Sequence, residues 1–188
     1  MGSASTVSGN KLQFLKPSKS LHWKFHGTED ALKEKLMCSV SVALLFDGAS
    51  KGNHEVSGVG GVIFFPGRLI HLNFSWGLGS MTNNQAECYS LLMVIQLAKG
   101  KGFKSIQIFG DSEMLVKTLN TVVTFNNSLL NVILQRIKTT LKCFDSVESY
   151  HILWGLNKFV DSLANKGCLL PQGTLSIDGE TCVFHPIP

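Results

Sequence analysis

Residues 41–47 read SVALLFD, a near-continuous apolar run that ends at a carboxylate. Such a run is typical of a strand that is buried on both faces of a sheet. An ionised carboxylate resists burial unless a partner or a metal offsets its charge, so Asp47 does little for a core. We therefore predict a central strand that delivers a functional group where it meets a turn.

Beyond this strand, the hydrophobic pattern predicts further strands and helices. The predicted strands are 58–65, 68–76, 104–111 and 147–153, and the predicted helices are 82–99, 112–120, 129–144 and 157–166. Pro66-Gly67 indicates a hairpin, and Thr82 with Gln85 matches a capping box. The order predicts an α/β fold, with an antiparallel meander followed by crossovers that should be parallel and right-handed.

The length of 188 residues favours one domain with tails. We predict a tail or linker over residues 1–37 with one short helix at 29–37, a domain over 38–168, and a C-terminal tail over 169–188. Residues 48–57 and 167–188 are predicted to be loops. The hydrophobic content of 44% is enough for a core, and a charged content of only 16% argues against wholesale disorder.

The composition argues against several classes of protein. The five cysteines are scattered without a CxxC pair, so a zinc ribbon or redox motif is not expected, and reduced thiols favour an intracellular protein, in the nucleus or the cytoplasm. Runs of about 18 apolar residues are absent, as is the apolar segment of a signal peptide, so we expect no membrane partner. The net charge of +4 gives a mild bias toward anionic partners.

Four carboxylates stand where apolar runs meet turns or where helices are predicted: Asp47, Glu87, Asp111 and Asp161. In an open α/β sheet, functional groups collect beyond the carboxyl ends of the central strands. If the first and fourth strands are parallel neighbours, Asp47 and Asp111 come within reach of one ion. An all-oxygen ligand set suits Mg²⁺ or Mn²⁺, and such a ring can hold two ions about 4 Å apart, as in-line displacement at phosphorus requires.

Four blocks around these acids resemble the ribonuclease H type 1 family, most closely its plant reverse-transcriptase-associated branch. They are FDGASKGN at 46–53, TNNQAE at 82–87, GDS at 110–112 and NKFVDSLAN at 157–165, and they run in order within about residues 40–168. The resemblance implies a ribonuclease H-like fold, a mixed five-stranded sheet of order 3-2-1-4-5 flanked by helices.

The resemblance also implies a ribonuclease H activity, the endonucleolytic hydrolysis of the RNA strand of an RNA–DNA hybrid by two Mg²⁺ ions, for which Mn²⁺ could substitute. Asp47 would bridge both ions, Glu87 and Asp111 would complete one site, and Asp161 the other. The products would carry a 5′-phosphate and a 3′-hydroxyl. A monomer is expected.

Three amides and a histidine complete the site that the resemblance implies. Asn53, Asn83 and Asn84 match positions that contact the minor groove of the hybrid, where amides can read the 2′-hydroxyl of RNA. The alternatives are a turn residue for Asn53 and helix capping for the other two. His151 matches a histidine that assists product release or proton transfer, and its alternative is a hydrogen-bonded residue at a strand end.

Two features depart from the pattern of the family. Trp154 stands where related sequences carry arginine, a bidentate phosphate ligand. The tryptophan could stack on a sugar or pack, and we expect it to pack, while Asn157 could cap the last helix. The segment between Ser112 and His151 lacks a basic protrusion, which predicts weak hybrid affinity. A catalytically weak or inactive nucleic-acid-binding module derived from a retroelement is therefore an alternative, as is another nuclease chemistry on the same fold.

Overall fold

The computed structural model describes residues 25, 27–53, 55–67, 71–122 and 124–184. The described helices are α1 (Glu29–Cys38), α2 (Asn83–Gly100), α3 (Glu113–Asn120), α4 (Ser128–Leu141) and α5 (Trp154–Gly167). The described strands are β1 (Val42–Lys51), β2 (Val56–Phe64), β3 (His71–Gly79), β4 (Ser105–Gly110), β5 (Ser146–His151), β6 (Thr174–Ile177) and β7 (Glu180–Val183). Every predicted strand and helix is present, with shifted ends.

The central position predicted for β1 is confirmed. β1 pairs with β4 in parallel on one side and with β2 antiparallel on the other, so it lies inside the sheet. Its residues 42–48 are all buried. Even-numbered β1 residues join the core beneath α2, α3 and α4, whereas Ala43 and Leu45 join a smaller core beneath α1 and α5. The apolar run therefore reflects burial by helices on both faces.

Among the described residues the sheet has seven strands, in the order β5-β4-β1-β2-β3-β6-β7. The predicted order 3-2-1-4-5 is confirmed within it. The prediction that 167–188 is loop is wrong, because β6 and β7 form a hairpin that pairs with β3 and extends the sheet. The hairpin turns at Asp178-Gly179, both with positive φ. Every residue of β7 is exposed, so the sequence shows no alternation of apolar and polar residues that would predict this strand.

The N-terminal prediction of a short helix is confirmed by α1. Leu32 of this helix is buried in the core under α5, and the Phe25 N–H donates to the His151 carbonyl at 2.8 Å. The helix therefore packs against the sheet instead of forming part of a loose linker. Residues 1–24 lie outside the described residues, and the domain bounds remain a prediction.

Two predicted boundaries change in ways that matter for the site. The strand β1 continues to Lys51, which pairs with Val56, so the predicted loop 48–57 shrinks to a tight turn. The last helix starts at Trp154, three residues before the predicted start at Asn157. The Pro66-Gly67 turn is confirmed between β2 and β3, although residues 68–70 of the predicted strand lie outside the described residues.

Two glycines allow helices to approach the sheet backbone closely. A Cβ atom on Gly48 of β1 would lie 2.2 Å from the Glu87 nitrogen of α2. A Cβ atom on Gly60 of β2 would lie 2.3 Å from the Ala164 nitrogen of α5. Since both obstacles are backbone atoms, a side chain at either position could be accommodated only by moving a helix.

Within the described part of the chain, no helix is long and apolar enough to cross a membrane.

We expect Gly48→Ala to lower the free energy of unfolding by about 2 kcal/mol or more, because the added methyl meets the α2 backbone. Chemical denaturation followed by circular dichroism would measure the loss. Gly100→Ala is the matched control, since a Cβ atom there meets nothing within 4 Å and alanine favours a helix. Equal stability of Gly48→Ala and the native chain would contradict the close approach.

Candidate active site

The four acids predicted from the sequence line one cavity of about 250 Å³ at the edge of the central strands. The other lining residues are Gly48, Ala49, Ser50, Lys51, Asn83, Trp154 and Asn165. Asp47 comes from β1, Asp111 follows β4, Glu87 lies in the first half of α2, and Asp161 lies in the middle of α5. Four elements that are distant in sequence thus contribute one carboxylate each.

The divergence of two paired strands creates this cavity. The parallel pairing of β1 with β4 ends at Leu45 and Phe109, and Asp47 and Asp111 each lie two residues beyond that last pair. Beyond this point β1 stays paired with β2, so it leaves β4 and opens a gap. Both carboxylates therefore stand at the point where an α/β sheet offers room for a ligand.

Neutral hydrogen bonds fix Asp47 and its strand. The Asp47 N–H donates to Ser90 Oγ at 3.1 Å, and the Ser90 hydroxyl donates to the Gly60 carbonyl at 2.7 Å, so Ser90 joins α2 to both β1 and β2. The Gly48 N–H donates to Asp47 Oδ1 at 2.8 Å. The sequence analysis did not identify Ser90, a buried serine inside an apolar helix face.

The start of α2 positions Glu87. The predicted capping box is confirmed: Thr82 Oγ1 accepts from the Gln85 N–H, and the Gln85 side chain accepts from the Thr82 N–H. One turn before Glu87, Asn83 Nδ2 donates to Glu87 Oε1 at 3.0 Å. Since Thr82 caps the helix, the capping alternative for Asn83 does not hold, and Asn83 instead orients a carboxylate.

Asn157 orients Asp111, and its predicted role as a helix cap is wrong. It lies inside the first turn of α5, fully buried, where Nδ2 donates to the Phe46 carbonyl at 3.1 Å and to Asp111 Oδ1 at 3.2 Å. Its Oδ1 has no hydrogen-bond partner among the described residues. The amide nitrogen of Asn157 thus holds the carboxylate while its buried oxygen stays unpaired, which costs stability. This arrangement indicates that Asn157 positions Asp111.

Burial and mutual repulsion raise the pKa values of three of the acids. Burial, and then the charge of Asp111, raise the pKa of Asp47 to about 8. Burial raises the pKa of Glu87 against an opposing hydrogen bond from Ser112, and burial raises that of Asp111 against hydrogen bonds from its own backbone and from Asn157. Shared negative charge in a poorly solvated cavity is therefore unfavourable unless it is neutralised.

The donor chemistry of the cavity fits hard divalent cations. All four acids offer carboxylate oxygens, and a cation would offset the burial and repulsion that raise the pKa values of Asp47, Glu87 and Asp111. Among the described residues, however, no group of three or more His, Cys, Asp or Glu side chains is arranged so that it could hold a metal ion. The four acids share the cavity but do not converge on one point, and their role as metal ligands remains a prediction.

His151 ends β5 beside the cavity. Its Nε2 lies 3.1 Å from the Asp111 carbonyl oxygen, and its own carbonyl accepts from Phe25. This is the hydrogen-bonded strand-end histidine of the alternative interpretation. The same contact places its ring next to the segment that carries Asp111, so a part in proton transfer stays a prediction.

The three predicted amides are separated by the fold. Asn83 lines the cavity, whereas Asn84 is exposed in the first turn of α2 and Asn53 is exposed in the β1–β2 turn with a φ of 54°. The positive φ supports the turn interpretation of Asn53, since asparagine tolerates this conformation. Neither Asn53 nor Asn84 lines the cavity, so any role for them in substrate contact lies outside it.

Trp154 does not pack as expected. It is 59% exposed, opens α5 and lines the cavity together with the four acids. Lys158, one turn further along, holds its Nζ 5.2 Å from the centroid of the indole ring. Trp154 is the first residue of α5 and comes before the buried residues of this helix. Its ring therefore lies at the rim of the cavity and not in the core.

The chain matches known proteins over the same region. The family model described as reverse transcriptase-like matches residues 45–167. Ribonuclease HI of Halobacterium salinarum is 33% identical over 121 residues, which make up 64% of this chain and 61% of that protein. The chain thus spans about three fifths of the length of this curated relative.

Solved structures give the same result. The crystal structure of RNase H1 from Halobacterium salinarum matches with a TM-score of 0.62 and 32% identity, covering 68% of this chain and 96% of that chain. The N-terminal RNase H domain of a Mycobacterium tuberculosis protein, solved as a fusion with maltose-binding protein, has a TM-score of 0.65 at 24% identity and covers 69% and 94%. LC11-RNase H1, solved with an RNA/DNA hybrid, has a TM-score of 0.62 at 22% identity and covers 68% and 96%. The last two matches establish a shared fold.

We expect Asp47→Asn to stabilise the metal-free protein at pH 8. The Asp47 carboxyl titrates near 3.9 when unfolded and at about 8 when folded, so its contribution is fully present below pH 4 and is lost as the pH rises through 8. Asparagine keeps the acceptor for Gly48 and avoids that loss, by roughly 1.4 kcal/mol per unit of pKa difference. Thermal melts in EDTA from pH 4 to 9 should show an advantage that grows with pH, and a constant difference would contradict the raised pKa.

We expect Asn157→Ala to raise the pKa of Asp111, because donation from Nδ2 favours the ionised carboxylate. Carboxyl-carbon NMR titration in EDTA would measure it. Asn165→Ala is the control, since Asn165 lines the same cavity but donates to the backbone carbonyl of Asp161. An Asp111 pKa that does not change in Asn157→Ala would rule out this positioning contact.

Proposed function

Because this chain belongs to the reverse transcriptase-like family and carries a ribonuclease H type 1 domain, we propose that it is a metal-dependent endonuclease that hydrolyses the RNA strand of RNA–DNA hybrids. The observation that carries the proposal is the meeting of four carboxylates from β1, α2, β4 and α5 in one cavity. Such a set has no role in a core, since each ion would need a partner there.

Asp47, Glu87, Asp111 and Asp161 would hold the divalent ions, Mg²⁺ or Mn²⁺. A pair of such ions supplies Lewis-acid stabilisation of the charge that develops on the phosphate oxygens during in-line displacement. The chain itself sets the directions of the ligands. Asn83 holds Oε1 of Glu87, Asn157 holds Oδ1 of Asp111, and the Gly48 N–H holds Oδ1 of Asp47.

The hybrid as substrate is supported by the likeness to RNase H1 proteins, one of which has been solved with an RNA/DNA hybrid. Asn83 lines the cavity wall, where its amide would contact a minor-groove 2′-hydroxyl, the group that distinguishes RNA from DNA. Asn53 and Asn84, exposed on the turn and helix beside it, would extend that contact outward. His151 would serve proton transfer near Asp111.

A second candidate is a module that binds hybrids with little turnover. The observation that favours it is that no three of the acids are arranged to hold an ion, within the residues that the structure describes. Hybrid affinity measured in EDTA and in Ca²⁺, beside cleavage in Mg²⁺, separates the two candidates. Tight binding with no cutting above the level of Asp111→Asn would favour the module, and cutting well above that level would exclude it.

We expect the purified protein to cut the RNA strand of a labelled hybrid in Mg²⁺ or Mn²⁺, and Asp111→Asn to slow this by about a thousandfold, since ligand loss removes several kcal/mol of charge stabilisation. Gel analysis of the products would measure both. Asp145→Asn is the matched control, because Asp145 is exposed ahead of β5 and does not line the cavity. Equal rates for Asp111→Asn and the native protein with both ions would refute the proposal.

A further inference from the structure

Trp154 and Lys158 form an exposed pair at the rim of the carboxylate cavity. The indole ring lines the cavity and is 59% exposed, and the Lys158 ammonium lies over it, 5.2 Å from the ring centroid. The two residues are four apart on α5, so they lie on the same side of the helix one turn from each other. The Lys158 ammonium is therefore a cation beside the aromatic surface of Trp154.

Packing does not account for this indole. Tryptophan is among the most buried side chains on average, and Trp76 of β3 is only 3% exposed. Trp154 instead presents its ring to solvent next to four acids, and the neighbouring Leu153 is 61% exposed as well. Large apolar groups exposed at a concave site indicate a contact with a ligand.

Basic side chains are few around the cavity. Its walls carry four carboxylates but a single basic side chain, Lys51, among the described lining residues. Divalent ions would offset the carboxylates, and a further cation at the rim would strengthen the contact with a phosphate backbone. Lys158 lies in the field of Glu29, but the Glu29 carboxylate is itself bound by Lys33 at 2.9 Å. Glu29 is thus paired with Lys33, and the Lys158 ammonium lies over the indole of Trp154.

We propose that Trp154 and Lys158 hold the sugar and phosphate of the nucleotide next to the one at the carboxylates. This inference rests on the proposed function, because it places a polynucleotide in the cavity. In a paired hybrid the faces of the bases are covered by their neighbours, so an aromatic side chain at the rim reaches the sugar, and an ammonium reaches the phosphate. Such contacts position the strand and carry no sequence preference.

Hybrid binding in Ca²⁺ across a range of salt concentrations tests the pair without relying on cleavage. Neutralising one phosphate contact reduces the slope of log affinity against log salt by roughly 0.9. Lys158→Gln should show this loss, so that its affinity falls about threefold less than that of the native protein between 50 and 200 mM salt. Lys99→Gln, an exposed lysine near the far end of α2, should keep the native slope.

Variants of Trp154 separate its two contributions. Trp154→Ala should weaken binding about fivefold or more, and Trp154→Phe should restore most of it, because the aromatic face is what contacts the nucleotide. Trp154→Arg in the Lys158→Gln protein should restore the salt slope, because a guanidinium binds phosphate at the same place. In a Trp23→Phe background the other remaining tryptophan, Trp76, is buried, so a blue shift of the emission on addition of the hybrid would report that the hybrid covers Trp154.

The outcomes distinguish this inference from the proposed function. Native slope in Lys158→Gln, native affinity in Trp154→Ala, or no hybrid binding by the native protein would overturn the inference. If the native protein cuts the hybrid while Lys158→Gln and Trp154→Ala bind as it does, the proposed function stands and the inference fails. If the hybrid binds with the predicted losses but is not cut, the inference holds and the proposed activity fails.

Discussion

The contact between β1 and α2 at Gly48 is the constraint on which the site depends. With no side chain at this position, the helix backbone comes so near the strand that a Cβ atom would lie 2.2 Å from the Glu87 nitrogen. The same approach lets Ser90 bond to the Asp47 N–H and to the Gly60 carbonyl. Glu87 and Asp47 are therefore neighbours because a glycine follows Asp47, and Gly60 permits the matching approach of α5 on the other face.

The carboxylates are held mainly by neutral groups. Asparagine side chains and a backbone N–H group orient them, and these donors fix direction without cancelling charge. Burial, together with the repulsion that remains, raises the pKa values of Asp47, Glu87 and Asp111 and destabilises the ionised fold. The clustered carboxylates thus lower the stability of the fold without a cation, and a bound cation would relieve this. Such a loss of stability at one site is typical of residues that are kept for function.

The rim of the cavity has a different chemistry from its floor. The floor is anionic and suits metal ions, whereas a polynucleotide needs cations and surfaces that tolerate any sequence. The start of α5 carries both parts: Asn157 turns inward to hold Asp111, while Trp154 and Lys158 face outward. Because α5 starts three residues earlier than its apolar pattern predicts, one helical turn joins the anionic floor of the cavity to its rim.

The sequence alone determined the buried strand at 41–47, the capping box of α2, the order of the five main strands and the identity of the four acids. These follow from the spacing of hydrophobic residues, from helix-capping residues and from family motifs, and each of these signals is contained in a short segment. Tertiary structure alone decided that Asn157 bonds to Asp111 and not to its own helix end, that β6 pairs with β3 and β7 with β6, and that Trp154 stays exposed. Each of these depends on residues that are far away in sequence. The periodicity of hydrophobic residues predicts whether a side chain is buried, but it does not predict which residues that side chain contacts.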